Sequence, residues 1–363
     1  MSYDGMDLAP LLERAFGRVP RTTLEPLAGQ ASTRRYYRLH LDDARPGEPA
    51  SLVVMRLPED ATASDEGGED EAPAELPFLV VQRLLAEREL PVPRVFAEDL
   101  PRRALLLEDL GAESFEDRLH ARGPAAWPTL YGQAVDLLVQ LHERCAALPP
   151  EHLAATRAFD QSLLRWELDH FREWGLEIPF GALPPDERAT LDAAFDRLAR
   201  TLAEAPRGFV HRDYQSRNLM WRGDELVLID FQDALQGPVP YDLVALLCDS
   251  YVALDAELQE AMIARYAAAR GLDLAPFRAL FWRQALQRKL KDAGRFVYID
   301  RVRANPGFLP SFGPSLVYVG RALTELGAEL GDEAEEVRAI LTRRLPGFPD
   351  TVPTPLAATG ENA

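Results

Sequence analysis

Along the first ~110 residues the apolar positions come in short runs between polar flanks, the pattern of strands. Thr23 to Leu27 and Arg35 to Leu41 read as two strands joined through Gly29-Gln30-Ala31-Ser32, and Ser51 to Leu57 reads as a third. Leu76, Leu79, Val80, Leu84 and Leu85 recur near helical spacing and predict a helix from Leu76 to Arg88. Val92 to Phe96 and Ala104 to Glu108 read as two more strands. From about Ser114 the spacing turns helical, over Tyr131 to Cys145, Gln161 to Trp174 and Pro185 to Leu202. A β-rich block between Gly208 and Phe231 interrupts the helices, which resume at Tyr241 and run to about Arg344.

This order predicts an α+β chain of two parts. Residues 1–110 form a small part built on a sheet, residues 111–345 form a large and mostly helical part, and the boundary lies near Asp109 to Gly111. Residues 58–75 are acidic and nearly free of large apolar side chains, so they read as a mobile loop. Residues 346–363, with Pro, Thr and Gly, read as a disordered tail. The first residues, MSYDGMDLAPLLERAFGR, read as an amphipathic helix and not as a signal peptide.

Composition narrows the partners. A net charge of −18 makes nucleic acid a poor partner, because phosphate neutralisation needs clustered Lys and Arg. No apolar run approaches the roughly 20 residues that span a bilayer. The two cysteines, Cys145 and Cys248, lie far apart without metal spacing, which fits a reducing cytoplasm.

Candidate chemistry concentrates in FVHRDYQSRNLMWRGDELVLIDFQDALQGPVPYDLVAL, Phe209 to Leu246. His211-Arg212-Asp213 is followed five positions later by Asn218. Leu219 to Trp221 and Leu226 to Ile229, split by the turn Arg222-Gly223-Asp224, read as a hairpin that ends in Asp230. Phosphoryl transfer needs a carboxylate beside the attacking hydroxyl and oxygen ligands for magnesium on the β- and γ-phosphates. Magnesium keeps several waters, so one carboxylate and one amide oxygen are a sufficient protein share. Asp213 is expected to orient the acceptor hydroxyl and take its proton, and Asn218 and Asp230 to hold metal. A lone His-Arg-Asp triplet is common; the whole constellation at this spacing is far more specific.

The stretch resembles the aminoglycoside phosphotransferase and choline kinase family, which shares the two-lobed protein-kinase-like fold. Asp230 is followed by Phe231-Gln232-Asp233, where protein kinases carry Asp-Phe-Gly, and Gly237-Pro238-Val239-Pro240-Tyr241-Asp242-Leu243 comes at once, without a long activation segment. In the family the Asp of this second motif braces the catalytic loop. Asp242 is the matching position, and His211 is counted with it as a brace.

HRDYxxRNLM followed by IDFQDAxxGPxxYDL is similar to the bacterial anomeric sugar kinases of cell-wall recycling. Ala31-Ser32-Thr33-Arg34-Arg35-Tyr36-Tyr37-Arg38 is similar to their nucleotide-covering loop, and Leu105 to Gly111 to their interlobe hinge. Gln287-Arg288-Lys289-Leu290-Lys291-Asp292-Ala293-Gly294-Arg295-Phe296 is similar to a helix of their C-terminal lobe. The resemblance runs from about residue 20 to about residue 345. It implies ATP and Mg2+ as cofactors and the C1 hydroxyl of N-acetylmuramate or N-acetylglucosamine as acceptor. Another hydroxyl acceptor (an aminoglycoside, choline or homoserine) and a nucleotide-binding pseudokinase are the alternatives.

The phosphate-gripping half departs from the pattern. There is no GxGxxG loop, although Ser32 and Thr33 can offer donors to phosphate. There is no Lys on the third strand; Arg56 stands roughly in its place, and Arg34 and Arg35 are alternatives. Adenine is expected on backbone groups of Glu108, Asp109 and Leu110. Arg217 and Asp233 flank the chemistry as candidate sugar contacts, with Asp233 alternatively fixing Arg217. Gln287, Arg288 and Lys291 lie on an amphipathic helix whose charges are expected to be solvated, the alternative being a contact with the lactyl carboxylate of N-acetylmuramate. Trp166 and Trp174 read as helix core.

Overall fold

The computed structural model describes residues 2–3, 6–27, 34–58 and 75–351. The candidate loop residues Ser32 and Thr33, most of the acidic stretch (59–74) and the tail beyond 351 lie outside the described residues. Contacts divide the chain into two units. The first holds residues up to Glu113 together with Met220–Gln232, and the second holds Ser114–Leu219 and everything from Asp233.

In the first unit, five strands among the described residues form an antiparallel sheet: β1 (Thr22–Pro26), β2 (Arg35–Leu41), β3 (Ser51–Arg56), β4 (Val95–Asp99) and β5 (Ala104–Glu108). Their order is β1-β2-β3-β5-β4. The register sets Leu39 opposite Leu52 and Val54 opposite Leu106. Alternation then turns Leu39, Leu41, Leu52, Val54 and Leu106 to one face, where they pack with Leu11 and Leu12 of helix α1 (Ala9–Phe16). Helix α2 (Pro77–Glu87) buries Val81 and Leu85. The fourth strand starts at Val95, three residues later than the apolar run predicts. Pro91 and Pro93 have no N–H to give a ladder, so pairing begins beyond them.

The second unit is helical. Its helices include α3 (Phe115–Arg122), α4 (Trp127–Arg144), α5 (Gln161–His170), α6 (Pro185–Ala203), α7 (Tyr241–Leu247), α8 (Ala256–Ala269), α9 (Leu274–Arg303), α10 (Phe312–Glu325) and α11 (Asp332–Arg344). Two strands, β6 (Arg207–Val210) and Leu235–Pro238, pair antiparallel within it. The helix that starts at Gln161 keeps α geometry to His170 and widens to a π turn over Phe171–Glu177. Gly294 of α9 lies against that widening, where a Cβ would meet Phe171 Cα at 2.7 Å and the His170 carbonyl at 3.0 Å. Trp166, read as core from sequence, is 44% exposed and stacks on His170 with centroids 5.4 Å apart.

The thirty residues of α9 carry the largest departure from expectation. Gln284, Gln287, Arg288, Lys289 and Lys291 are all buried. The expectation of a solvated charged face on this helix is therefore corrected: α9 is enclosed by packed elements, and Gln284, Gln287, Arg288 and Lys289 each meet a partner inside the unit.

Candidate active site

In the second unit β6 runs out into His211-Arg212-Asp213, and a short 3-10 turn, Ser216–Asn218, closes the loop. Arg212 has φ 79°, a left-handed conformation that a side chain disfavours and that must be held by its surroundings. Asp242, in the first turn of α7 and fully buried, holds it. Its Oδ2 accepts from the His211 N–H at 2.7 Å and its Oδ1 from the Arg212 N–H at 2.9 Å. His142 Nε2 lies 3.2 Å from the same Oδ2, and its Nδ1 lies 2.6 Å from the Tyr266 hydroxyl. A chain of buried polar groups thus supports the carboxylate from behind, and burial pushes the Tyr266 phenol up. Asp242 thus accepts from two consecutive loop N–H groups, one of them the backbone N–H of His211.

The rest of the loop is pinned in the same manner. The Tyr214 hydroxyl donates to the Ala134 carbonyl at 2.7 Å. Ser216 donates to Asp249 Oδ2 from its N–H (2.9 Å) and its hydroxyl (2.5 Å). Asn218 donates from Nδ2 to the Asp213 carbonyl at 2.9 Å, which turns Oδ1 of the amide away from that contact as an acceptor. Asp213 keeps a quarter of its side chain exposed. Arg217 is held by Glu116, with Nε 2.6 Å from Oε2, and lies over the Tyr251 ring at 3.6 Å.

The hairpin strands Leu219–Arg222 and Glu225–Leu228 pair, with Gly223 at φ 65° in the turn. Asp230 follows at φ 64° with its side chain 40% exposed. Gln232 donates from Nε2 to Asp230 Oδ1 at 2.8 Å, and the Arg34 guanidinium lies 3.9 Å from the same oxygen. Burial pushes the Tyr36 phenol up; Asp230 acts in the same direction, and Arg34 opposes it. Phe231 stacks on Phe78 with centroids 5.1 Å apart. Arg56 ends β3 opposite Arg35 and Ala104.

Asp109 is committed to the sheet. Its Oδ2 accepts from Arg38 Nε and the Ser51 hydroxyl, each at 2.7 Å, and its Oδ1 from the Gly111 N–H at 2.9 Å. Against the burial that raises it, these donors hold its carboxyl below the usual range. Glu108 accepts from Arg222 Nη1 at 3.0 Å and from the Arg94 N–H at 3.1 Å. What Glu108 and Asp109 can offer an adenine is therefore backbone.

Among the described residues, no three His, Cys, Asp or Glu side chains gather into a metal centre. Magnesium that shares its shell with phosphates and water needs no such cluster. Carboxylate and amide oxygens, such as Asp230 carries in the first unit and Asn218 in the second, are hard donors of the kind it favours. Sequence reasoning missed Gln232, Tyr36 and Glu116. Only Gln232 carried a signal, as the residue that replaces glycine in the triplet.

Residues 23–281 match the model of the phosphotransferase enzyme family. A protein of Pseudomonas aeruginosa named N-acetylmuramate/N-acetylglucosamine kinase is 36% identical over 330 residues, which cover 87% of this chain and 89% of that protein. One of the same name from Pseudomonas putida is 32% identical, covering 90% and 92%. Among solved structures, a choline kinase from Cryptosporidium parvum superposes with a TM-score of 0.56 at 12% identity, covering 85% of this chain and 90% of its own. The ADP-bound aminoglycoside phosphotransferase APH(2'')-Ib superposes with 0.54 at 15% identity, covering 87% and 94%. The fold is thus the protein-kinase-like one of these enzymes.

Proposed function

The chain belongs to the phosphotransferase enzyme family, and on that premise we propose that it is an ATP-dependent kinase for the C1 hydroxyl of N-acetylmuramate, N-acetylglucosamine or both. The observation that carries the sugar is the identity of 36% with a kinase of that name over 87% of the chain. The nucleotide follows from the family and from an ADP-bound neighbour.

Asp213 is assigned to the acceptor hydroxyl, which it orients and whose proton it accepts. Asn218 Oδ1 and Asp230 would hold magnesium. Bound there with the nucleotide, the metal would neutralise charge on the β- and γ-phosphates. Arg34, with Ser32, Thr33 and Arg56, is assigned to phosphate, and the backbone of Glu108, Asp109 and Leu110 to adenine. Asp233 is assigned to the sugar. For Arg217 we favour a supporting part, since Glu116 and Tyr251 already hold its guanidinium. A cytoplasmic location suits the two buried free cysteines, and no described helix is long and apolar enough to cross a membrane.

An anomeric hydroxyl gives up its proton more readily than an alkanol, so a carboxylate need only orient it and accept the proton late. That suits a loose transition state in which positioning and charge neutralisation dominate. The test is incubation with ATP, magnesium and a panel of acceptors: N-acetylmuramate, N-acetylglucosamine, their 1-O-methyl and C6-blocked analogues, choline and an aminoglycoside. The expected product is a sugar 1-phosphate that is labile to mild acid, formed from the C6-blocked sugar but not from the 1-O-methyl one. Phosphate at C6 would leave a sugar kinase and remove the anomeric assignment; transfer to choline or the aminoglycoside alone would remove the sugar.

A further inference from the structure

Arg288 of α9 is 2% exposed, yet its guanidinium faces the catalytic loop. Nη1 donates to the Arg212 carbonyl at 2.8 Å, and Nη2 lies 3.7 Å from Asp213 Oδ1. The plane rests over the Tyr241 ring at 4.8 Å, and Nε lies 3.9 Å from Asp292. Its helix neighbours are partnered too, Lys289 on the same carboxylate. Lys289 reaches Asp292 at 2.8 Å, and Gln287 donates to the buried Glu167 at 2.7 Å.

The loop peptide around Arg212 is therefore held from both sides. Asp242 takes the N–H groups that precede the left-handed turn, and Arg288 takes the carbonyl that follows it. A buried arginine is weak as a source of net stability, because desolvation offsets much of its attraction. A planar guanidinium can, however, satisfy a carbonyl with one N–H while presenting another to a carboxylate in a fixed fork; an ammonium also has several donors but carries them as a point charge on a flexible stem.

We propose that Arg288 is a positioning residue for phosphoryl transfer: from α9 it clamps the Arg212 peptide and aims the Asp213 carboxylate at the acceptor hydroxyl. The proposal rests on the assignment of Asp213 given above.

The test compares Arg288→Met, which keeps length without charge, and Arg288→Lys in the full-length chain, each alone and with Asp213→Asn. A misaimed carboxylate costs on the order of 10²-fold in rate. Arg288→Met is expected to lower kcat by about that factor with KM for ATP little changed, and Arg288→Lys to recover part of it. In the Asp213→Asn background the same substitution should cost less than about twofold, because the group it acts through is already lost. Hydrogen exchange of the amides from Arg212 to Gln215 should accelerate in both variants while the β1–β5 sheet keeps its protection. A rate loss of equal size in the two backgrounds, or unchanged exchange in the loop, overturns the proposal. If Arg288→Met fails to fold, Arg288→Lys decides by the same two readouts. If the wild-type chain transfers phosphate to no sugar, the acceptor assignment falls, while loop exchange still decides for or against the clamp.

Discussion

Gln232 donates from Nε2 to Oδ1 of Asp230 at 2.8 Å. Where a protein kinase has glycine, this chain has a side chain that reaches back two residues and fixes the carboxylate. The tripeptide thus divides its work: Asp230 presents oxygen from a left-handed backbone, Phe231 anchors on Phe78, and Gln232 holds the carboxylate in place. The Arg34 guanidinium lies 3.9 Å from Asp230 Oδ1.

The first prediction tests that division. Asp230→Ala should abolish turnover at any magnesium concentration. Gln232→Leu should retain turnover but need about tenfold more magnesium or beyond for half-maximal rate, because a hydrogen bond to a charged carboxylate is worth about 1.5–3 kcal/mol. A magnesium titration of ADP release measures both. Equal magnesium dependence in wild type and Gln232→Leu would show that the contact is incidental.

Asp213→Asn should lower kcat by roughly 10²–10⁴, the scale of a lost general base. The amide is nearly isosteric, so the melting temperature and the affinity for ATP should stay near wild type. Turnover like that of wild type would take Asp213 out of this part.

Asp242→Ala removes an acceptor from two buried N–H donors and from His142. Leaving such donors unsatisfied costs about 1–3 kcal/mol each, and Arg212 at φ 79° loses one of the two groups that hold it. Denaturant unfolding should show a loss of roughly 2–5 kcal/mol, the range for a broken buried charged network. The protein that remains folded should be nearly inactive, which separates this variant from one that is merely less stable.

Asp109 gives a prediction in pH. Its carboxyl is held below the usual range in the folded chain, with Arg38, Ser51 and the Gly111 N–H outweighing burial. A carboxylate depressed on folding adds stability that is fully present above its unfolded value, ~3.9, and is lost as pH falls through the folded value. Asp109→Asn should therefore destabilise the chain by about 1–3 kcal/mol near neutral pH. The gap from wild type should close as pH drops below ~4. A gap that is constant with pH would mean that the charge of Asp109 is not what stabilises the sheet.

Much of the fold is legible in the sequence. β2 and β5 keep their predicted bounds because each is an apolar run with polar ends, and the helices from Tyr241 to Arg344 fall in the stretch the sequence predicts to be helical. Asp213, Asn218 and Asp230 stand out in the sequence because phosphoryl transfer calls for those groups within one short stretch. Arg288, Gln287 and Lys291 were misread because helical periodicity assigns charged positions to solvent. It carries no information about a carboxylate such as Glu167, 120 residues away, that makes burial tolerable. The π turn had no signal either, since it arises where one helix presses on the backbone of another.

That close approach supports the last prediction. Gly294 sits in the middle of α9, where alanine would ordinarily favour the helix by about 1 kcal/mol. Here the added Cβ would fall 2.7 Å from Phe171 Cα and 3.0 Å from the His170 carbonyl. Both are backbone atoms, so no side chain can rotate away; α9 and the π turn must move apart. Overpacking of this kind costs about 1–3 kcal/mol, enough to outweigh the gain in propensity. Gly294→Ala should therefore lower stability in denaturant unfolding, although it places the best helix former at a helix centre. The displacement should also reach the loop, because α9 carries Arg288 six residues earlier and Arg288 holds the Arg212 carbonyl. Gly294→Ala is thus expected to lower kcat more than it raises KM for ATP. Alanine at 294 with unchanged or higher stability would mean that the helix and the π turn are not in the contact described, and the tie between this packing and the loop would go with it.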